Sequence, residues 1–144
     1  MTKKSASDVV GLEFDWLGVD AEDAVGFFST AGGGYAPEEF LDDTDAYDRA
    51  IEAILGLPMS TSAVCTRTLR PDLQDTWRMM AERGIFAFDS DPDGGPYQLV
   101  ATPTVPIQFG ALPDTVAEVA QRIRCPQLRF SALNAVSADL LKRK

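Results

Sequence analysis

The chain has 144 residues, 45% of them hydrophobic and 24% charged, with two cysteines, no histidine and a formal net charge of −9. That length suits one domain large enough to bury a core. The missing histidine excludes Ser-His-Asp and Cys-His nucleophilic catalysis, the HExxH metalloprotease helix and histidine-bearing base-deaminase sites.

In chain order, Leu12, Phe14 and Trp16 alternate with Glu13 and Asp15, a period of two that predicts a half-buried strand over 12–19. AEDA then turns the chain, and VGFFST at 25–30 reads as the hairpin partner. After Gly32, Gly33 and Gly34, Pro37 suits the first turn of a short helix, with Glu38 and Glu39 favoured by its dipole. A clearer helix spans 45–55, with Thr44 or Asp45 as its cap and Gly56 and Pro58 as its stop. Tyr47, Ala50, Ile51, Ile54 and Leu55 share its apolar face; Asp45, Asp48, Arg49 and Glu52 share the other.

The stretch 59–68 is ambiguous between a loop and a short strand. PDLQDTWRMMAERG reads as a helix opened by Pro71, with Leu73, Trp77, Met80 and Ala81 as its stripe and Gly84 just past its end. IFAFD (85–89) and YQLVA (97–101) flank DSDPDGGP as a hairpin with a long turn. Pro103, Pro106 and Pro113 keep 102–113 from being a central strand along its length. Thr115 and Glu118 have capping-box spacing before TVAEVAQRIR, and QLRFSAL at 127–133 reads as a last strand. This order predicts an α+β fold: a single domain over 1–144, fraying at 1–8 and 136–144. Its sheet is mainly antiparallel or mixed, of about five strands, with helices packed on one face.

Three stretches resemble sites. GFFSTAGGGYAPEEF (26–40) has the outline of a phosphate cradle, but no lysine or arginine lies between Lys4 and Arg49, and Glu38 and Glu39 stand where an anion would sit. Its glycines read as a corner that needs positive φ and close packing. Asp89, Asp91, Asp93 and Gly94 match the opening of a calcium loop, yet the twelfth position is Val100 and Pro92 interrupts it. A solvated turn is the expectation there. The third stretch is the acidic cluster Glu38, Glu39, Asp42, Asp43, Asp45, Asp48 and Glu52, which reads as an ordinary solvated face or as a docking surface for a basic partner.

Charge is unevenly placed along the chain. Residues 1–52 hold 13 acidic side chains against three basic, a net of −10; residues 53–144 hold nine against ten, a net of +1. Such an amino-terminal third repels nucleic acid and anionic membranes, and it steers in basic partners. MTKKSASDVVGLEF lacks the apolar core of a secretory signal, and no apolar run approaches the ~20 residues of a membrane span. A cytoplasmic location is expected, with Cys65 and Cys125 as free thiols and a bridge between them as the minority reading.

FDWLGVDAEDAVGFFSTAGGGYAP (14–37) carries Trp-x-x-x-Asp, a short turn, Gly-x-Phe-x-Thr-Ala-Gly and a following proline. It resembles the start of small bacterial proteins similar to polymorphic-toxin immunity proteins. ERGIFAFDSDPDGGPYQLVATPTVPI and the later LRF resemble their later strands. The resemblance implies a non-enzymatic protein-binding domain that blocks a bacterial toxin. It brings no catalytic residue, cofactor or metal, and no nucleic-acid or membrane partner. Glu38 to Glu52 is then the docking surface for a basic toxin domain. The alternative is a small-ligand or cation-binding domain using 32–38 or 89–94.

Overall fold

A computed structural model describes residues 3–9, 11, 13–65, 76–90 and 94–142. Leu12, the helix start at Pro71 and Leu73, and the loop carboxylates Asp91 and Asp93 lie outside the described residues. The elements in order are α1 (Ala6–Val9), β1 (Asp15–Asp20), β2 (Val25–Ser29), α2 (Glu38–Leu41), α3 (Thr44–Leu55) and β3 (Ala63–Cys65). They continue with α4 (Thr76–Ala81), β4 (Phe86–Asp89), β5 (Tyr97–Pro103), α5 (Asp114–Ala120), β6 (Arg124–Cys125), β7 (Ala135–Val136) and α6 (Ala138–Lys142).

The sheet is mixed, ordered β3-β5-β4-β2-β1-β6, with β7 also paired to β5. Both expected hairpins form: β1 with β2, and β4 with β5, each antiparallel. They join in the middle through a parallel pairing of β2 with β4, and β6 adds in parallel to β1. The architecture is α+β. Helices α3, α4 and α5 pack against the sheet, and α3 touches both of the others.

β1 is buried on both faces rather than on one. Its Leu17 and Val19, with Phe27 of β2, lie fully inside on one side. On the other, Trp16 stacks on Phe28 at 4.0 Å and 8°, and Phe28 on Phe88 at 4.8 Å and 6°. That row follows the strand register, since Trp16 pairs with Phe28 and Phe28 with Phe88. Phe130 meets the row edge-on, 5.8 Å from Phe28 and 5.4 Å from Phe88. Each such ring pair contributes about 0.5–1.5 kcal/mol beyond its buried area.

The segment 127–133 corrects the expected last strand. It forms a turn and a short 3-10 helix, Phe130–Ala132, and the strand pairings fall on either side of it, at Arg124–Cys125 and Ala135–Val136. The reason is Asp20, buried at the end of β1. Its Oδ2 accepts the Phe130 amide at 2.8 Å, while its Oδ1 accepts the amides of Glu22 and Ala24. One carboxylate thus closes the β1–β2 turn and pins the segment that carries Phe130. The chain beyond is structured as well: β7 pairs with β5, and Leu141 of α6 is buried.

Helix starts differ from expectation in their caps. α3 begins at Thr44 with Asp43 as its N-cap; α5 begins at Asp114 with Pro113 as its N-cap, so Thr115 lies inside the first turn, the Thr115–Glu118 capping box is not made, and Glu118 pairs with Arg122. Within the stretch 59–68, residues 63–65 form a strand, and 66–68 lie outside the described residues. Cys65 and Cys125 are both free and stand on opposite edges of the sheet, so the bridge reading is excluded. Burial pushes the Cys125 thiol up to about 12, which keeps it protonated and unreactive.

Candidate functional site

The glycine corner is occupied by its own hydrogen bonds. Gly33 and Gly34 both donate their amides to the Thr30 carbonyl, at 3.0 and 2.7 Å. Gly32 lies at φ 92° with its carbonyl taken by the Gly11 amide. At Gly34 a Cβ would come within 2.8 Å of Ser90 and the Tyr97 hydroxyl. Two of the corner's amides therefore already serve the turn.

The corner delivers the chain to α2 and α3, where the seven acidic residues of interest divide. Glu38, Asp42, Asp45, Asp48 and Glu52 are exposed, whereas Glu39 and Asp43 are half-buried. Asp45, Asp48 and Glu52 follow helical spacing on the outer face of α3, opposite the buried Tyr47, Ala50 and Ile54. Burial and then the neighbouring charges of Asp45 and Glu52 raise the Asp48 carboxyl, with Lys4 and Arg49 acting against them. Asp42 lies 4.0 Å from Lys3.

Asp43 belongs to a different neighbourhood. Arg122 donates to it at 3.4 Å through Nη1 and grips Glu118 with Nη2 at 2.9 Å to both oxygens. This pairing joins the start of α3 to the end of α5 above a groove of about 520 Å³ whose floor includes Ala46, Ala50, Ala53 and Val119. The buried hydroxyl of Tyr47 has no hydrogen-bond partner among the described residues. Burial raises it far above its ordinary value, against the pull of Arg122.

A second acidic place escaped the sequence reading as a site. Asp15 of β1 pairs in register with Ser29 of β2, and Ser29 with Asp89 of β4, so the three stand in one row across the sheet. They line a cleft of about 400 Å³ with Glu13, Phe27 and Trp77. Burial pushes the Asp15 carboxyl up to about 6; the Ser29 hydroxyl acts against this, and the negative charges of Asp48, Glu13 and Asp89 add to it. Asp48 links the cleft electrostatically to the α3 face. The signal in the sequence was the acidic side of the first strand, Glu13 and Asp15, but the partner Asp89 lies 74 positions from Asp15. No group of three or more Asp, Glu, Cys or His side chains among the described residues has the arrangement of a metal site.

Fold and surface together define an α+β domain with an acidic face, running from the outer side of α3 to the cleft at the start of β1. Among the described residues, no helix is long and apolar enough to cross a membrane. Comparisons with protein-family models, curated proteins and solved structures return no match.

Proposed function

We propose that this protein is a non-enzymatic, cytoplasmic binding domain that inhibits a basic bacterial toxin through its acidic face. The observation that carries this reading is the like-charge crowding of that face. Asp48 is raised partly by Asp45 and Glu52, and Asp15 partly by Asp48, Glu13 and Asp89. Self-repulsion of this kind opposes folding, and a cationic partner relieves it. Charge of one sign also speeds encounter with a basic surface and rejects acidic competitors. The absence of histidine and the resemblance of 14–37 to immunity-type proteins support the same conclusion.

The test is charge reversal, Asp42→Lys with Asp45→Lys, against any basic toxin domain found encoded beside this gene. The association rate should fall about tenfold or more at low salt, and its salt dependence should flatten. An unchanged rate and salt response would reject the α3 face as the docking surface.

The alternative is a small-ligand or cation-binding domain using 32–38 or 89–94. Thermal unfolding with calcium or magnesium distinguishes the two, because a bound ion raises the melting temperature by linkage. An unmoved transition would remove this alternative.

A further inference from the structure

The most exposed large apolar side chains of the described residues are Met59, Val64 and Val105, open to 62%, 58% and 65%, and Val64 and Val105 stand at one edge of the sheet. Val64 is the middle residue of β3, the outermost strand on that side. Val105 follows β5, and its amide donates to the Thr61 hydroxyl on the approach to β3. Around them the sequence is neutral. In a chain with 22 acidic and 13 basic side chains, residues 53–66 carry none of either.

The backbone at this edge is open too. Thr104 donates its amide to the Ser62 carbonyl at 2.9 Å, which makes that a hydrogen-bonded pair. By antiparallel alternation Val64 with Thr102 is hydrogen-bonded as well, while Ala63 with Pro103 and Cys65 with Ala101 are not. Pro103 agrees, having no N–H to give. The amides and carbonyls of Ala63 and Cys65 therefore turn away from β5, and no strand lies beyond β3 among the described residues. Native edges are usually blunted by charge, and the opposite edge strand, β6, carries the exposed Arg124. β3 carries no charge.

We propose that β3 is a dimerisation edge, at which two copies of this chain pair β3 with β3 antiparallel about a twofold axis. Charge selects the occupant. A basic partner is drawn to the acidic face and finds nothing to match on a neutral strip, whereas a second copy presents the same neutral strip by symmetry. An axis through Val64 sets Ala63 opposite Cys65 of the partner subunit and joins their outward groups in hydrogen-bonded pairs. The two Val64 side chains then face each other as a non-hydrogen-bonded pair, Cα atoms about 4.5 Å apart. α3 packs on β1, four strand spacings from β3, or ~19 Å. The α3 faces of the two copies stay apart and accessible.

A ladder of three residues is small, so the dimer forms weakly and depends on concentration. Sedimentation equilibrium over a roughly hundredfold concentration range should show the mass rising from 15.6 kDa towards twice that value. A monomer throughout overturns the proposal. Val64→Lys should remain monomeric with an unchanged near-ultraviolet dichroism spectrum; a dimer that survives this substitution also overturns it. Should Val64→Lys not fold, amide exchange in the unaltered protein decides. Ala63 and Cys65 should be protected at high concentration and exposed at low, and no difference would reject the edge. Val64→Cys in a Cys65→Ser background reports the register, because only an axis near position 64 brings the new thiols within the ~4.4–6.8 Å Cα separation of a disulfide. A dimer that fails to cross-link rejects that axis.

Discussion

The indole nitrogen of Trp16 donates a 3.1 Å hydrogen bond to the hydroxyl of Tyr97, which in turn donates to the Tyr35 carbonyl at 2.6 Å. The two aromatic rings meet edge-on at 5.8 Å. This short chain of bonds ties the first strand to β5 and to the loop after the glycine corner, with both side chains fully buried. Tyr97→Phe keeps the ring packing but leaves the indole N–H and the Tyr35 carbonyl without partners. A loss of about 1–3 kcal/mol is expected. It would be read as a lower urea midpoint at unchanged slope, the mark of lost stability rather than an altered unfolded state.

Gly26 makes room for the Phe130 ring. A Cβ at position 26 would lie 2.9 Å from both Phe130 and Phe28, and Phe28 is held between Trp16 and Phe88. Gly26→Ala should cost about 1–3 kcal/mol through overpacking. Gly110→Ala is the control: nothing lies within 4 Å of a Cβ there, and its effect should stay within about 0.5 kcal/mol. Equal losses at the two positions would mean that Phe130 can move aside.

Asp15 gives the fold a pH dependence of unusual sign. Its carboxyl is raised from the ordinary 3.8 to about 6, so between those values the folded chain holds more of the proton than the unfolded chain. Stability from this group is therefore greatest below about pH 4, falls as pH rises towards 6, and stays reduced above. Asp15→Asn should raise stability by on the order of 1–2 kcal/mol at pH 7 and flatten the profile between pH 4 and 6. Equal slopes for the two proteins across that window would show that Asp15 is solvated like an ordinary carboxylate.

Periodicity carried a reading wherever one local rule acted alone. The stripe Tyr47, Ala50, Ile51, Ile54 marks α3 because burial of one helix face repeats at a spacing visible in sequence. The two hairpins were legible for a related reason: each joins neighbouring stretches of alternating residues across a turn. QLRFSAL misled because its buried Leu128 and Phe130 alternate with exposed neighbours as a strand's would, while the backbone forms a turn and a 3-10 helix. Phe130 serves a hollow over Gly26, and Asp20 holds the backbone beside it. The Thr115–Glu118 pattern failed because the helix starts earlier, at Asp114 after Pro113, which puts Thr115 inside the first turn.

Of the candidate surface, the acidic run from Glu38 to Glu52 was evident as composition, and the loss of Asp43 to Arg122 was not. By itself the sequence determined the α+β class, the apolar face of α3, the two hairpins and the exclusion of histidine chemistry. These follow from residue content and from contacts between near neighbours. Only the tertiary structure decided that β2 lies beside β4, and with it that Asp15, Ser29 and Asp89 share one cleft while β3 is left as an edge. A strand's period says which side chains share a face. Its neighbour depends on how distant segments together bury the most apolar surface, and no local pattern records that choice.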